Sequence, residues 1–534
     1  MEQASGAQRS NTRLHEHLAR LAEIGIALSS EKNLPVLLEK IVDEARSLAG
    51  ADAGTLYLTD GERDQLEFAI IQNQTMKIRM GGAAGPITWP PIPLHLDGAP
   101  NHANVSSSVA MTGKIVNIPD VYQAEGYDFS GTKQFDAGTG YRSQSMLVIP
   151  MRNKEREVIG VLQLINALSP ESGRPIPFPA ENVDLVASLA SQAAVAITNV
   201  RLYRDLELLF DAFIQAIATA IDEKSPYTAG HIRRVQQLTM ATARAINQEN
   251  TGPLAGFRLN EDQMRELSLA GWLHDIGKIV TPEHVMDKSS KLETIFDRIQ
   301  LVEARYEVLK RDQRIRQLEA QLAGRQSTVA TAPPPSPQAD GSAEQLEEEK
   351  QFVSHCNLPG EYLGDEQIAR LKKIAARSWH NNGSPEPLLK EDELNNLLVR
   401  KGNLTSAERQ TIENHAMVTY KMLKQLPFPK KLRHVAEYAA AHHEKLDGSG
   451  YPFRLKARDI PPQARIIAIA DIFEALTSRD RPYKKAMPVS RALRIMTAMK
   501  NEGHIDPDIF DLFVKHKVYQ EYARRELDPS QWDC

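Results

Sequence analysis

The chain has 534 residues, 42% hydrophobic and 25% charged, a length that argues for two or three folded domains rather than one core. Its 64 basic and 69 acidic residues leave a formal net charge of −5, which excludes a global attraction to nucleic acid or to an anionic membrane, so any phosphate recognition has to be local. The two cysteines, Cys356 and Cys534, exclude a disulfide framework and a CxxC motif and fit a reducing compartment.

Residues 1–14 read as a polar tail without the apolar segment of a signal peptide, and no later stretch reaches the ~20 apolar residues of a membrane span, which points to the cytoplasm. Leu14 to Leu28 has a helical pattern, and Ala53 to Ile71 changes to the short alternating runs TLYLT and LEFAII, which suit strands. SMLVIPM (Ser145–Met151) and VIGVLQLIN (Val158–Asn166) flank the charged RNKERE and read as an antiparallel hairpin at the heart of a sheet. The first domain, 15–180, is therefore α+β. From Glu181 to Asp222 a helical pattern runs almost unbroken, with Val186, Leu189, Ala193, Ile197, Leu206, Leu209 and Phe213 near one stripe. At 1.5 Å per residue it extends roughly 60 Å, more than one domain needs. Such a helix either packs on the sheet and then on the next domain or forms a parallel dimer helix that carries a signal, and both readings can hold in different segments.

The segment FRLNEDQMRELSLAGWLHDIGKIV announces a helix: Asn260 is an N-cap, Gln263 completes a capping box, and Leu259 with Met264 forms a hydrophobic staple. It ends at His274-Asp275, just before Gly277. A His-Asp pair at one helix end is by itself compatible with simple charge placement at the dipole. Three further helical patterns add to it: TIENHAMVTYKML with His415, AEYAAAHHEKLDGSGYP with His442 and His443, and ARIIAIADIFEAL with Asp471 among Ile466, Ile469, Ile472 and Phe473. Each offers imidazole or carboxylate where a core prefers neither. A buried Asp471 is costly without a partner, and a divalent metal is an effective one. Histidines and carboxylates without thiolates suit iron, manganese, zinc or nickel. A shared Asp275 could bridge two ions at the roughly 3.5–4 Å spacing that suits an in-line phosphoryl displacement.

The hairpin SMLVIPMRNKEREVIGVLQLIN followed by FPAENVDLVASLASQAAVAITNVRLY resembles the closing strands and C-terminal helix of GAF domains, which implies a module for small-ligand binding or dimerisation. Some cyclic-nucleotide-binding members of that family carry an Asn-Lys pair followed by a Phe and an acidic pair. Here Asn166 precedes Ala167, and Phe178 is followed only loosely by Glu181, which argues against that ligand.

HDIGK (His274–Lys278), HHEKLDGSGYP (His442–Pro452) and AD.FEAL (Ala470–Leu476), with YTAGHIRRV (Tyr227–Val235), KGNLTSAERQTIENH (Lys401–His415) and RPYKKA (Arg481–Ala486), resemble the HD-GYP family of cyclic di-GMP phosphodiesterases. The resemblance implies an all-α HD-superfamily hydrolase domain after the GAF domain. It implies that His274, Asp275 and Asp471 hold one divalent ion, that Asp275, His415, His442 and His443 hold a second, and that His231 is the remaining metal-site histidine. Iron or manganese is expected, with zinc and nickel compatible. The position where some members place a Glu for a third ion is Tyr227, so two ions are expected. Asp275 and Lys278 are the implied catalytic groups, and Lys278, Arg481, Lys484 and Tyr451 the implied substrate contacts. Two departures stand out: TSRDRPYKK is one residue longer than the usual spacing, and the family's usual Asp in the Asp471 helix is Glu474. The implied reaction is attack of a hydroxide between the metals on a phosphorus of cyclic di-GMP, giving pGpG and, with further cleavage, GMP. Its competitors are hydrolysis of another cyclic dinucleotide and a catalytically weak receptor that acts through protein partners.

The HD domain is expected in two parts, 223–287 and 401–520, with 521–534 as a tail. Between them 288–400 is an insertion: Leu292 to Leu322 helical, a Pro-rich linker at 324–343, and Glu344 to Trp379 helical again. This predicts an antiparallel helical hairpin, a candidate lid or partner surface. The expected partners are the cyclic dinucleotide, a small ligand or none at the GAF domain, a second copy in a homodimer and a protein at the insertion, without nucleic-acid polymer or membrane.

Overall fold

The computed structural model describes residues 19–224, 230–326, 342–360, 362–478 and 487–533. The chain divides into two compact units, Met1–Phe210 and Asp211–Cys534.

The strands of the first unit are β1 (Ala51–Asp60), β2 (Gln65–Asn73), β3 (Ile78–Gly81), β4 (Ile92–Pro93), β5 (His95–Leu96), β6 (Ala99–Pro100), β7 (Val116–Ile118), β8 (Met146–Arg152), β9 (Val158–Leu168) and β10 (Pro175–Ile176). The sheet order is β3-β2-β1-β9-β8-β7, antiparallel throughout, with β4 on β2 and β10 on β9. The β8–β9 hairpin runs in register from Met146↔Ile165 to Met151↔Gly160 and shifts by one residue at Arg152↔Val158, next to the charged turn. Alternation along β8 sorts the two faces: Leu147 and Ile149 point to one core, Met146 and Val148 to another.

The first face is covered by α1 (19–30), α2 (Leu34–Ala49) and the start of α5 (Ala180–Asp222). Leu37, Ile41 and Val42 meet Val186, Leu189 and Ile197 there, over Leu56 and Leu162. Asn33 caps α2 and Gly50 ends it in the left-handed conformation. The second face carries the short helices α3 (Val105–Thr112) and α4 (Ser130–Thr139). By length and composition α5 passes for a membrane span, contrary to the expectation that no stretch would. Its first half is nevertheless a core helix, with Val186, Leu189, Ala193 and Ile197 fully buried. Beyond that half, Leu202, Leu206, Leu209 and Phe213 are exposed.

The helices of the second unit are α6 (His231–Gln248), α7 (Glu261–Leu273), α8 (Glu283–Met286), α9 (Ile299–Gln326), α10 (Ala343–Asn357), α11 (Asp365–Ala375), α12 (Glu391–Leu397), α13 (Ser406–Leu423), α14 (Val435–Ala440), α15 (Pro462–Thr477), α16 (Val489–Asn501), α17 (Pro507–Lys515) and α18 (Tyr519–Glu526). Helix α6 packs on α7 and α15, and α14 packs on α7, α13 and α15. The expected tail at 521–534 is instead packed over its described part. The buried Gln531 amide donates to the carbonyls of Thr477 and Met487, which ties the C-terminal turn to the end of α15.

The insertion is more than a helical hairpin. Helices α9 and α10 do run antiparallel, linked by Glu303–Ser354, Glu307–Lys350 and Lys310–Glu347. But Trp379, expected in a helix, lies in a hairpin of β11 (Ser378–Asn381) and β12 (Ser384–Pro387), and α11 and α12 complete a lobe. Its own core of Leu292, Tyr306, Val353, Cys356, Leu371 and Leu388 explains why: two helices alone leave those side chains half covered. Of the Pro-rich linker, 327–341 lie outside the described residues.

Candidate metal centre

Helix α7 starts as its sequence dictates, with Asn260 accepting from the Gln263 N–H and the Gln263 side chain reaching back to the Asn260 N–H. It ends at Leu273, and a 3-10 turn, Ile276–Val280, follows His274 and Asp275. This turn lies flat against α13 because residue 277 has no side chain: a Cβ there would stand 2.0 Å from the His415 carbonyl oxygen. The fully buried Thr419 hydroxyl fastens the contact, donating to the His274 carbonyl at 3.1 Å and accepting from the Gly277 N–H at 3.0 Å.

Four imidazoles are oriented in the same way, through Nδ1. His274 donates to the Gly271 carbonyl at 2.9 Å, His415 to Ile412 at 2.5 Å and His442 to Ala439 at 2.6 Å. Each partner is a carbonyl three residues earlier, which can only accept, so in the neutral ring Nε2 carries the lone pair. For His231 the Nδ1 partner is a carboxylate, Glu474 Oε2 at 2.5 Å, and Arg234 holds the other Glu474 oxygen at 2.6 Å. The Nε2 atoms converge on Asp275, whose two oxygens divide them. Oδ2 lies 3.3 Å from His274 and 3.4 Å from His231; Oδ1 lies 3.3 Å from His415 and 3.9 Å from His442. Asp471 Oδ1 stands 3.3 Å from His231 Nε2. The ligand-type atoms of His231, His274 and Asp275 lie within 4.8 Å of one another, and so do those of His415, His442 and His443.

The donor set fits divalent metal. The Nε2 atoms of His274, His415 and His442 and Oδ1 of Asp275 are buried without a hydrogen-bond partner. Such atoms cost about 1–3 kcal/mol each unless something else satisfies them. The protonation of His442, His443, Asp275 and Asp471 suits the same purpose, whereas His231, which burial alone would lower, is held well above the usual imidazole range by Glu474, Asp275 and Asp471 and so carries a proton that an ion there would displace. Burial, with the neighbouring His443 and His274, holds His442 well below the usual imidazole range, and burial takes His443 down to about 3. Burial alone would raise Asp275 and Asp471, but Lys278 and His274 around the first and His231 beside the second keep both below the usual carboxylate range. Neutral imidazoles and ionised carboxylates are the forms that ligate.

Lys278 does not stand apart waiting for a phosphate: its Nζ lies 2.5 Å from Asp275 Oδ2. Tyr451 places its ring 4.7 Å from that of His443. Its loop folds back because Glu444 accepts from the N–H groups of Phe453 and Leu455, and because a Cβ at Gly450 would stand 2.6 Å from the His443 carbonyl oxygen. Arg481 and Lys484, like Tyr227, lie outside the described residues.

Sequence reasoning missed three contributors. Glu474 was noted only as a departure, and its role required seeing His231 beside it. Thr419 was unremarked. Lys224, just past the end of α5, donates to the carbonyls of Lys278, Ile279 and Thr281 at 3.0, 2.5 and 2.7 Å, which uses all three ammonium protons on the turn that carries Asp275.

Residues 33–197 match the GAF domain family and 391–509 match the HD domain family. The chain thus carries a GAF domain followed by a helical HD domain. His231, His274 and Asp275 precede the HD match, on the far side of the inserted lobe. The chain is 37% identical over 133 residues to a cyclic di-GMP phosphodiesterase of Thermotoga maritima, covering 25% of this chain and 35% of that protein. It is 36% identical over 138 residues to 3'3'-cGAMP-specific phosphodiesterase 1 of Vibrio cholerae, covering 26% and 31%. With the cyclic di-GMP phosphodiesterase response regulator RpfG of Xanthomonas campestris it shares 33% over 174 residues, covering 32% and 43%. The chain thus spans less than half the length of these relatives.

Proposed function

We propose that this chain is a metal-dependent phosphodiesterase that hydrolyses cyclic di-GMP to pGpG, and onward to GMP, under the control of its GAF domain. The observation that carries this reading is the division of Asp275, one oxygen toward His231 and His274 and the other toward His415 and His442. A carboxylate so placed suits two ions: one on His231, His274, Asp275 and Asp471, the other on Asp275, His415, His442 and His443. Iron or manganese matches the donors, and zinc or nickel is compatible with them. When bound, such a pair supplies Lewis acidity and an activated water at neutral pH.

The chain's own groups do the rest. Glu474 and the three backbone carbonyls hold the imidazoles in one tautomer. Lys278 steadies the ionised Asp275 and sets a positive charge at the edge of the centre, where a phosphodiester oxygen gains from it. Tyr451 offers a ring face beside His443, and Arg481 and Lys484 are assigned as phosphate anchors. The exposed Leu202, Leu206, Leu209 and Phe213 of α5 fit a second copy of the chain in a homodimer, working in the cytoplasm. The Vibrio relative favours 3'3'-cGAMP as a second substrate reading.

The test is turnover of cyclic di-GMP and 3'3'-cGAMP by the full chain loaded anaerobically with Fe(II) or Mn(II), beside Asp275→Ala. Linear product from the parent chain alone is expected. Binding of the dinucleotide without product under any metal would replace the enzyme by a receptor.

A further inference from the structure

The first unit encloses a cavity of 730 Å³ on the sheet face opposite α2 and α5, within the roughly 300–1,000 Å³ of small-molecule sites. Its wall is aromatic. Tyr57 lies 4.8 Å from Phe68, Phe68 packs edge-on at 5.5 Å to Trp89, and Trp89 packs at 6.0 Å to Phe135. Trp89 is 39% exposed, which leaves part of its ring open to contact with a ligand. The floor is polar but uncharged: Thr55 and Gln163 face each other across β1 and β9. The Gln163 oxygen accepts from the Tyr57 hydroxyl at 2.9 Å, while its NH2 reaches only Met146 Sδ, a weak acceptor, at 3.2 Å.

The charge of the cavity is one-sided. No lysine, arginine or histidine among the described residues lines it, and the single carboxylate that does is Asp128. Helices α3 and α4 both open onto the cavity by their N-termini, the usual place for a phosphate. Both ends are already served by the chain. Asn104 accepts from the Ser107 N–H at 3.1 Å, and the Asp128 carboxylate accepts from the Ser130 N–H at 2.8 Å. A phosphate at α4 would therefore meet a like charge, and the cation that acts on Asp128, Lys133, does not line the cavity but lies over the Tyr122 ring, 5.5 Å from its centre.

We infer that this cavity binds an uncharged or cationic planar heterocycle, stacked on Phe68 and Trp89, and rejects phosphorylated ligands, the cyclic dinucleotide of the metal centre among them. Ring stacking accounts for the aromatic wall, cation–π attraction tolerates a positive ligand, and the Gln163 NH2 gives a heterocycle edge a donor. On the proposed regulation of the HD domain by the GAF domain, the consequence is that the controlling signal differs chemically from the substrate and is not substrate feedback.

The experiment is equilibrium dialysis of the full chain against riboflavin, adenosine and the cationic acridine proflavine, with FMN and AMP as phosphorylated counterparts. At least one unphosphorylated ring is expected to bind roughly tenfold or more tighter than its phosphate. Trp89→Ala should remove that binding, Trp89→Phe should retain it, and Asp128→Lys should narrow the gap. Equal or tighter binding of FMN and AMP, binding unaffected by Trp89→Ala, or no binding of any unphosphorylated ring would each overturn the inference. Dialysis does not depend on turnover, so its failure leaves the phosphodiesterase reading standing, and the reverse.

Discussion

The helical core that carries the clustered histidines and aspartates and the lobe inserted into it both bury charge, and they treat it in opposite ways. In the lobe, Arg305 and Glu393 form a buried two-pronged pair at 2.6 and 3.0 Å, and Arg377 holds Glu349 at 3.0 Å. The lobe's unpartnered polar atoms include the Tyr306 hydroxyl, Trp379 Nε1 and the second oxygen of Glu349, whose first oxygen Arg377 holds. In the core, four unpartnered atoms meet around one carboxylate. A region that matches its charges internally is finished once folded, whereas one that gathers lone pairs is shaped to hold something else. The lobe also shows that the chain tolerates a long interruption between His274 and His415, because α7 and α13 are joined by the Gly277 and Thr419 contacts rather than by the intervening chain.

That contrast makes the sharpest test a pair of variants. Asp275→Ala should lower cyclic di-GMP turnover at least a thousandfold, about 4 kcal/mol of barrier, with metal per chain falling by elemental analysis. Arg305→Met, which leaves Glu393 buried and unpaired, should cost about 3–5 kcal/mol of lobe stability by hydrogen exchange across α9–α12, while metal content stays unchanged. Loss of metal in Arg305→Met would break the comparison. Gly277→Ala forces a Cβ against the His415 carbonyl and should cost about 1–3 kcal/mol in urea melts of the core. Glu474→Gln should weaken metal binding about 10–100-fold on the His231 side, leaving the ion on His415, His442 and His443 in place, as read by competitive chelation. The smallest effect is expected of Lys224→Met. Hydrogen exchange at the N–H groups of Lys278 and Thr281 should rise by roughly an order of magnitude, about 1.4 kcal/mol, because the turn loses its cation clamp.

Local chemistry made much of this readable in advance. The Asn260–Gln263 capping box sets where α7 begins, the alternation around RNKERE sets the β8–β9 hairpin, and an aspartate at 471 in an apolar run calls for a partner. These signals lie within a few residues of one another, where spacing on a helix or strand decides orientation. The lobe was legible as two helices and illegible as a folded body, because its core joins Leu292 to Leu388 through contacts that no periodicity encodes.

By itself the sequence determined the residue types gathered at the site, the helical segments that bear them and the two-domain order, since each follows from local pattern. Only the tertiary structure decided that the oxygens of Asp275 face different histidine sets, that Glu474 reaches across 243 residues to orient His231, and that Lys224 grips the Asp275 turn. Direction and distance between side chains far apart in the chain are set by packing, and packing is a property of the whole fold.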